Sequence, residues 1–199
     1  MGTKALRKRF KWQDVSGGKA GIAEDNFYRV FLRHFKGSDF RVRKGPKEFN
    51  NIYFNVELDK KVLAEIYTPD IKKWRHGIKP DYAIDNIKTK KTLYIEVKRQ
   101  DGWVEGKPRS AGRGNAHERS CKYFTPGLLR LLRRQGKLGN NVLPFWVVFQ
   151  GDITRDPCRV REITLWYAEH SSHFFFWRNL SDSKSLISHF EDELKHLLV

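Results

Sequence analysis

Lys79-Pro80-Asp81-Tyr82-Ala83-Ile84-Asp85, followed after a short gap by Leu93-Tyr94-Ile95-Glu96-Val97-Lys98, is the stretch on which the fold turns. Both runs are apolar and alternating, as a partly buried strand requires. The polar break between them, Asn86-Ile87-Lys88-Thr89-Lys90-Lys91, reads as a hairpin turn. Pairing the two strands brings the carboxylates of Asp81 and Glu96 side by side. Side chains alternate along a strand, so Lys98 shares the face of Glu96 and Val97 points the other way, into a core. Two carboxylates and one lysine suit a Mg²⁺-dependent phosphodiesterase. Mg²⁺ takes oxygen ligands and is commonly held by one or two carboxylates plus a substrate phosphate. An ammonium beside it orients or deprotonates an attacking water and offsets charge in the transition state. The same residues would also serve a solvated hairpin whose acids and lysines form ion pairs at its rim.

Composition points toward a polyanionic substrate. The chain has 199 residues, enough for one sizeable core and short for two domains, so a single domain over 1–199 is expected. Its formal net charge is +16, from 39 Lys and Arg against 23 Asp and Glu, an excess that favours phosphate contact and steering toward nucleic acid. A hydrophobic fraction of 39% and an aromatic fraction of 14% exclude a disordered basic tail. Basic runs at Lys4 to Lys11, Lys72-Lys73-Trp74-Arg75 and Arg130 to Arg134 are spread along the chain, and each alone reads as a solvated face. Cys121 and Cys158 form no C-x-x-C pair, and no signal-peptide pattern or membrane-length apolar run is seen, so a cytoplasmic, reduced protein without membrane contact is expected. His170 and His173 have spacing that could serve a metal, but no further ligand accompanies them and they read as structural.

The periodicities predict an α/β order. Ala20 to Phe35 carries a helical stripe at Ile22, Phe27, Val30, Phe31 and Phe35, after a Gly17-Gly18 break. Leu58 to Tyr67 reads as a shorter helix, then the hairpin of Tyr82 to Lys98, then a loop over Gln100 to Gly114 that would order on binding. Asn115 to Tyr123 and Pro126 to Gln135 have helical character. Pro144 to Phe149 is a continuous apolar run, as in a buried central strand. Val160 to Glu169 and Ser181 to Leu198 read as helices, with Phe174 to Trp177 a strand between them. The fold class is therefore α/β: one mixed sheet with helices on both faces. Glu24 and Asp25 on the first helix read as an acid pair near its N-terminus, favoured by the helix dipole; the other reading makes them companions of the metal site.

Beyond the loop lies Arg113-Gly114-Asn115-Ala116-His117-Glu118-Arg119. Together with Pro80-Asp81 and Glu96-Val97-Lys98, this segment resembles the EcoRI branch of type II restriction endonucleases, in the PD-(D/E)xK superfamily, and within it the MunI/MfeI type that cleaves CAATTG. The resemblance implies a restriction-endonuclease-like fold with Asp81, Glu96 and Lys98 as the catalytic set. It also implies Mg²⁺ held by Asp81, Glu96 and the Val97 carbonyl. Gly114, Asn115, Ala116, Glu118 and Arg119 would read the AATT core from the N-terminal end of a helix in the major groove. The residue types fit: an amide satisfies adenine with a donor and an acceptor, arginine is a fork of donors, and alanine touches a thymine methyl. Relative to EcoRI itself, the link over residues 99–113 is short and Arg113 is added. Arg113 donating to guanine would select CAATTG over GAATTC, the alternative being a phosphate contact. His117 replaces an aliphatic residue and is open between packing and phosphate contact. A C₂ homodimer would read the palindrome and cut after the first C to leave 5′-AATT ends with 5′-phosphates. Dimer contacts would fall on Pro126 to Gln135 or Asn115 to Tyr123. A bacterial cytoplasm and a cognate methyltransferase complete the implied setting. The rival readings are a repair or junction-resolving nuclease of the same superfamily, and a DNA-binding domain that has lost catalysis.

Overall fold

The computed structural model describes residues 21–66, 77–106 and 116–199. The Gly17-Gly18 break, the runs at Lys4 to Lys11 and Lys72 to Arg75, and Arg113, Gly114 and Asn115 lie outside them. Five strands form one sheet in the order β1-β2-β3-β4-β5. They are β1 (Phe40–Lys44), β2 (Tyr82–Asn86), β3 (Thr92–Arg99), β4 (Phe145–Gln150) and β5 (Phe174–Trp177). Strand β2 runs antiparallel to both of its neighbours, β1 and β3, while β3, β4 and β5 run parallel. The mixed sheet, the hairpin and the buried run at 145–150 are as the sequence predicts.

Strand β1 was not read from the sequence. Its alternation is present in Phe40-Arg41-Val42-Arg43, with Phe40 and Val42 buried and the arginines on the other face. The arginines give the run the look of a solvated basic segment, although both are committed to one buried carboxylate on the next strand. Arg41 and Arg43 both donate to Asp85 on β2, at 2.8 and 2.6 Å.

Each face of the sheet carries its own core. On one, the helix α1 (residues 21–34) lays Ala23, Phe27, Val30 and Phe31 against Ile84, Ile95, Trp146 and Val148. The chain's last helical segment closes the same layer, starting with α5 (Ser183–His189). The sequence suggests one helix from Ser181 to Leu198; the structure starts it after Asp182, which caps the Ser185 N–H, and changes its pitch twice. A wider turn spans Phe190–Leu194 and a tighter one Lys195–Leu198. The apolar residues explain this. Leu186, Phe190, Leu194 and Leu198 are all fully buried at a spacing of four, which overshoots the 3.6-residue turn and would drift off the core without local unwinding.

On the other face, Tyr94, Phe145, Val147 and Phe149 pack against Tyr123, Leu132, Ile163 and Tyr167. The helices here are α3 (Pro126–Gly136) and α4 (Pro157–Tyr167), each with proline in its first turn, where a missing N–H costs nothing. Gly136 lets α3 approach β3, since a β-carbon there would collide with the Thr92 carbonyl. Helix α4 begins earlier than the Val160 expected because Asp156 caps Cys158 and Arg159. The short α2 (Lys60–Glu65), inside the stretch expected from Leu58 to Tyr67, buries none of its residues. The expected helix over Asn115 to Tyr123 is a 3-10 helix, Glu118–Phe124, not an α-helix. Ser120 and Thr125 bond back to the carbonyls of His117 and Lys122, and Pro126 follows. Such local side-chain bonds compete with the α-helical ladder.

Candidate active site

The β2–β3 register pairs Tyr82 with Ile95 and Asp85 with Thr92, and one step further sets Asp81 opposite Glu96. The Val97 N–H donates to Asp81 Oδ2 at 2.8 Å, which fixes the Asp81 carboxylate across the strands. Lys98 reaches both acids, in contact with Glu96 Oε1 and 3.8 Å from Asp81 Oδ2. Val97 is buried in the opposite core layer, as the alternation requires. The three expected catalytic side chains therefore meet in one place, with Asp81 at the mouth of a cleft shared with Glu24, Lys44 and Lys79.

The strand-borne set itself is short of positive charge, with two carboxylates sharing one lysine. Burial and the neighbouring Glu96 raise the Asp81 pKa, against the opposing pull of Lys98 and the Val97 N–H. Burial works against the Lys98 charge, yet Glu96 and Asp81 outweigh it and hold the ammonium above its ordinary range. Lys98 is thus a proton-bearing group in this setting, suited to orienting and to charge compensation. Burial also raises Glu24, which senses both Lys98 and Glu96. The two acids of α1 separate on this point. Asp25 forms a surface ion pair with Lys44 at 2.9 Å, while Glu24 adds negative potential to the site.

A hard divalent cation fits this donor set. The site offers carboxylate and carbonyl oxygens and no thiol or imidazole, and the one lysine shared by Asp81 and Glu96 cannot neutralise both. Among the described residues no cluster of three or more His, Cys, Asp or Glu has ligand geometry by itself. Two carboxylates completed by a carbonyl, water and substrate phosphate is the Mg²⁺ pattern.

The sequence signal did not find the support around Glu96. Tyr123, on the 3-10 helix, is buried and donates its hydroxyl to Glu96 Oε2 at 2.9 Å. No spacing rule distinguishes this tyrosine from the chain's others; only the packed helix does. His117 is also settled. It is fully buried, stacks on Trp166 with ring centroids 5.4 Å apart, and bonds Gln100, so it packs and does not face phosphate. Glu118 and Arg119 beside it are exposed and Ala116 is half-buried. His173, of the histidine pair, donates from Nδ1 to the Phe145 carbonyl at 2.8 Å and is structural.

Comparison with known proteins gives this geometry a family. The model of the family described as type II restriction enzyme MunI matches residues 1–199. The chain is a member of the MunI family of type II restriction endonucleases. A type II restriction enzyme MunI from Mycoplasma sp is 50% identical over 201 residues, covering the whole of both chains. The crystal structure of MunI restriction endonuclease in complex with cognate DNA aligns with a TM-score of 0.81 at 50% identity, covering 94% of this chain and 97% of that one. The MunI-family chain is accordingly a site-specific endonuclease with the mixed-sheet fold of that enzyme. Among the described residues no helix is long and apolar enough to cross a membrane.

Proposed function

We propose that this protein cleaves double-stranded DNA at the palindrome CAATTG, after the first C, with Mg²⁺ as cofactor, leaving 5′-AATT overhangs that carry 5′-phosphates. The observation that carries the reading is the buried convergence of Asp81, Glu96 and Lys98 at the open end of the β2–β3 hairpin. Asp81, Glu96 and the Val97 carbonyl would hold the metal. When bound, the cation supplies Lewis acidity, offsetting phosphate charge and acidifying nearby water. The chain's own groups do the rest. Lys98, held as an ammonium between two acids, orients the attacking water in line with the scissile bond and opposes the charge that develops on the phosphate oxygens. The Val97 N–H keeps the Asp81 carboxylate from swinging away. Tyr123 does the same for Glu96.

Gly114, Asn115, Ala116, Glu118 and Arg119 would read the AATT core, and Arg113 the outer C·G pair. The exposure of Glu118 and Arg119, next to a buried and anchored His117, agrees with a segment that offers side chains outward from a fixed base. A palindrome calls for a homodimer, each copy one 199-residue endonuclease domain reading one half-site. The enzyme would act in a bacterial cytoplasm beside a methyltransferase that protects host sites.

Incubating the protein with a plasmid of known sequence in Mg²⁺ and sequencing the ends tests the reading. Fragments ending in 5′-AATT from CAATTG alone are expected. Cutting at GAATTC would overturn the role of Arg113, and structure-dependent nicking would favour a repair or junction-resolving activity.

A further inference from the structure

The 3-10 helix Glu118–Phe124 and its N-cap His117 are tied to the β3 segment at two places, once on the strand and once at the residue that follows it. At its N-terminal side, the His117 backbone N–H donates to Gln100 Oε1 at 3.1 Å, and the ring Nδ1 lies 3.0 Å from the same oxygen. That oxygen is already an acceptor, so Nδ1 carries the proton. Gln100 is itself fixed by backbone bonds to Gln150 and Ile153. At its other end, Tyr123 donates to Glu96 Oε2. Glu96 and Gln100 are four residues apart on an extended path, so both ties lie on the face that carries Lys98. The second oxygen of Glu96 is taken by Lys98. One carboxylate oxygen thus answers to the sheet and the other to the helix that begins with Glu118 and Arg119.

We propose that Tyr123 is a positioning residue that couples the seating of the DNA-reading segment to the orientation of the Glu96 carboxylate. The inference rests on the reading of Ala116 to Arg119 as a DNA-contacting segment. The seven-residue helix is short and pinned at both ends, so a shift of Glu118 and Arg119 on a mismatched site moves Tyr123 with them. A buried carboxylate whose hydrogen-bond donor moves must follow it or lose the bond. Glu96 then leaves its working orientation when the sequence is wrong.

The test is Tyr123→Phe, which removes the hydroxyl and keeps the ring against Phe145. Single-turnover cleavage is measured on duplexes carrying CAATTG and on duplexes with one base pair changed, with DNA affinity in Ca²⁺ and the melting temperature alongside. The expected result is a cognate rate about 10- to 100-fold lower, the scale for loss of a supporting bond to a metal-site carboxylate. The loss at altered sites should be smaller, so discrimination narrows, while Ca²⁺ affinity stays near wild type. Gln100→Leu, which releases the other tie without touching Glu96, should narrow discrimination as well. An unchanged cognate rate in Tyr123→Phe, or an equal loss at cognate and altered sites in both variants, would overturn the coupling while leaving the endonuclease reading intact. Absence of cleavage by the wild-type chain would overturn both.

Discussion

Asp81 and Asp85 stand four residues apart on the same strand path, both inside the protein, and their surroundings have opposite effects. Burial pushes both carboxyls up. At Asp85 it is outweighed by hydrogen bonds from Arg43, Thr92 and Arg41, and the group ends below its ordinary range. Four donors reach its two oxygens within 2.6 to 2.9 Å. At Asp81 the neighbours are Glu96, one lysine shared with Glu96, and one backbone N–H, and the group ends above its ordinary range. A satisfied buried carboxylate holds two strands together. An under-compensated one stores a demand for positive charge that a cation and substrate can meet. The closed end of the hairpin is built for stability and the open end for binding.

This contrast predicts opposite effects on stability when the carboxylate is removed at the two positions. Asp81→Asn should lower CAATTG cleavage by about 10³-fold or more, the scale on which loss of a metal-site charge acts on a phosphoryl transition state. Its melting temperature should hold or rise, because an uncompensated charge has been removed from the cleft. Cleavage assays and thermal melts on one preparation check both halves. A variant that cuts at the wild-type rate would remove Asp81 from the chemistry.

At the other end, Asp85→Ala should destabilise the fold by about 3 kcal/mol, the lower end for breaking a buried pair, because Arg41 is largely exposed and Arg43 keeps Glu48 as a partner. Denaturant titration measures it, and cleavage at low temperature should persist. The same group makes the protein acid-sensitive. Its folded pKa is depressed, so its stabilisation is complete above the unfolded value of 3.8 and is lost as pH falls through the folded value.

A third buried group extends the comparison to a cationic acid. His173 is buried beside the Phe145 carbonyl, and burial lowers its pKa from 6.5 to about 4 despite that bond. The unfolded chain therefore takes up a proton between those values that the folded chain refuses. Stability is fully present above pH 6.5 and falls as pH drops toward 4, by about 3 kcal/mol in all. Urea midpoints across this range should slope downward with acid, and His173→Gln should flatten the slope.

Much of this architecture was legible because it rests on local pattern. Alternation at Tyr82 to Asp85 and Leu93 to Lys98, and the apolar run at 145–149, gave three of the five strands and put Glu96 and Lys98 on one face. Phe174 to Trp177 gave a fourth. Strand β1 was hidden because its outward residues are arginines whose partner, Asp85, is more than forty residues away. The segment at 118–124 reads as helical, but its 3-10 pitch depends on Ser120 and Thr125 turning back on the backbone. Tyr123 and Gln100 were invisible for a related reason. Their roles exist only once the helix lies across β3, a long-range contact with no periodicity to announce it.

Glu24 and Asp25 repeat the opening contrast in miniature, and the smallest effect is expected there. Adjacent on α1, they look equivalent in the sequence, yet Asp25 is spent on Lys44 at the surface while Glu24 adds its charge to that of Asp81 and Glu96. Glu24→Gln should raise the Mg²⁺ concentration for half-maximal cleavage by about two- to fivefold, the size of a screened interaction with one charge. It should leave the rate at saturating Mg²⁺ nearly unchanged, because Glu24 stands outside the strand-borne set. Asp25→Asn should do neither. The effect should shrink as NaCl is raised, since it acts through the field and not through a bond. Equal Mg²⁺ curves for the two variants would mean that the cation senses only Asp81 and Glu96, and the demand for positive charge would then belong to the hairpin alone.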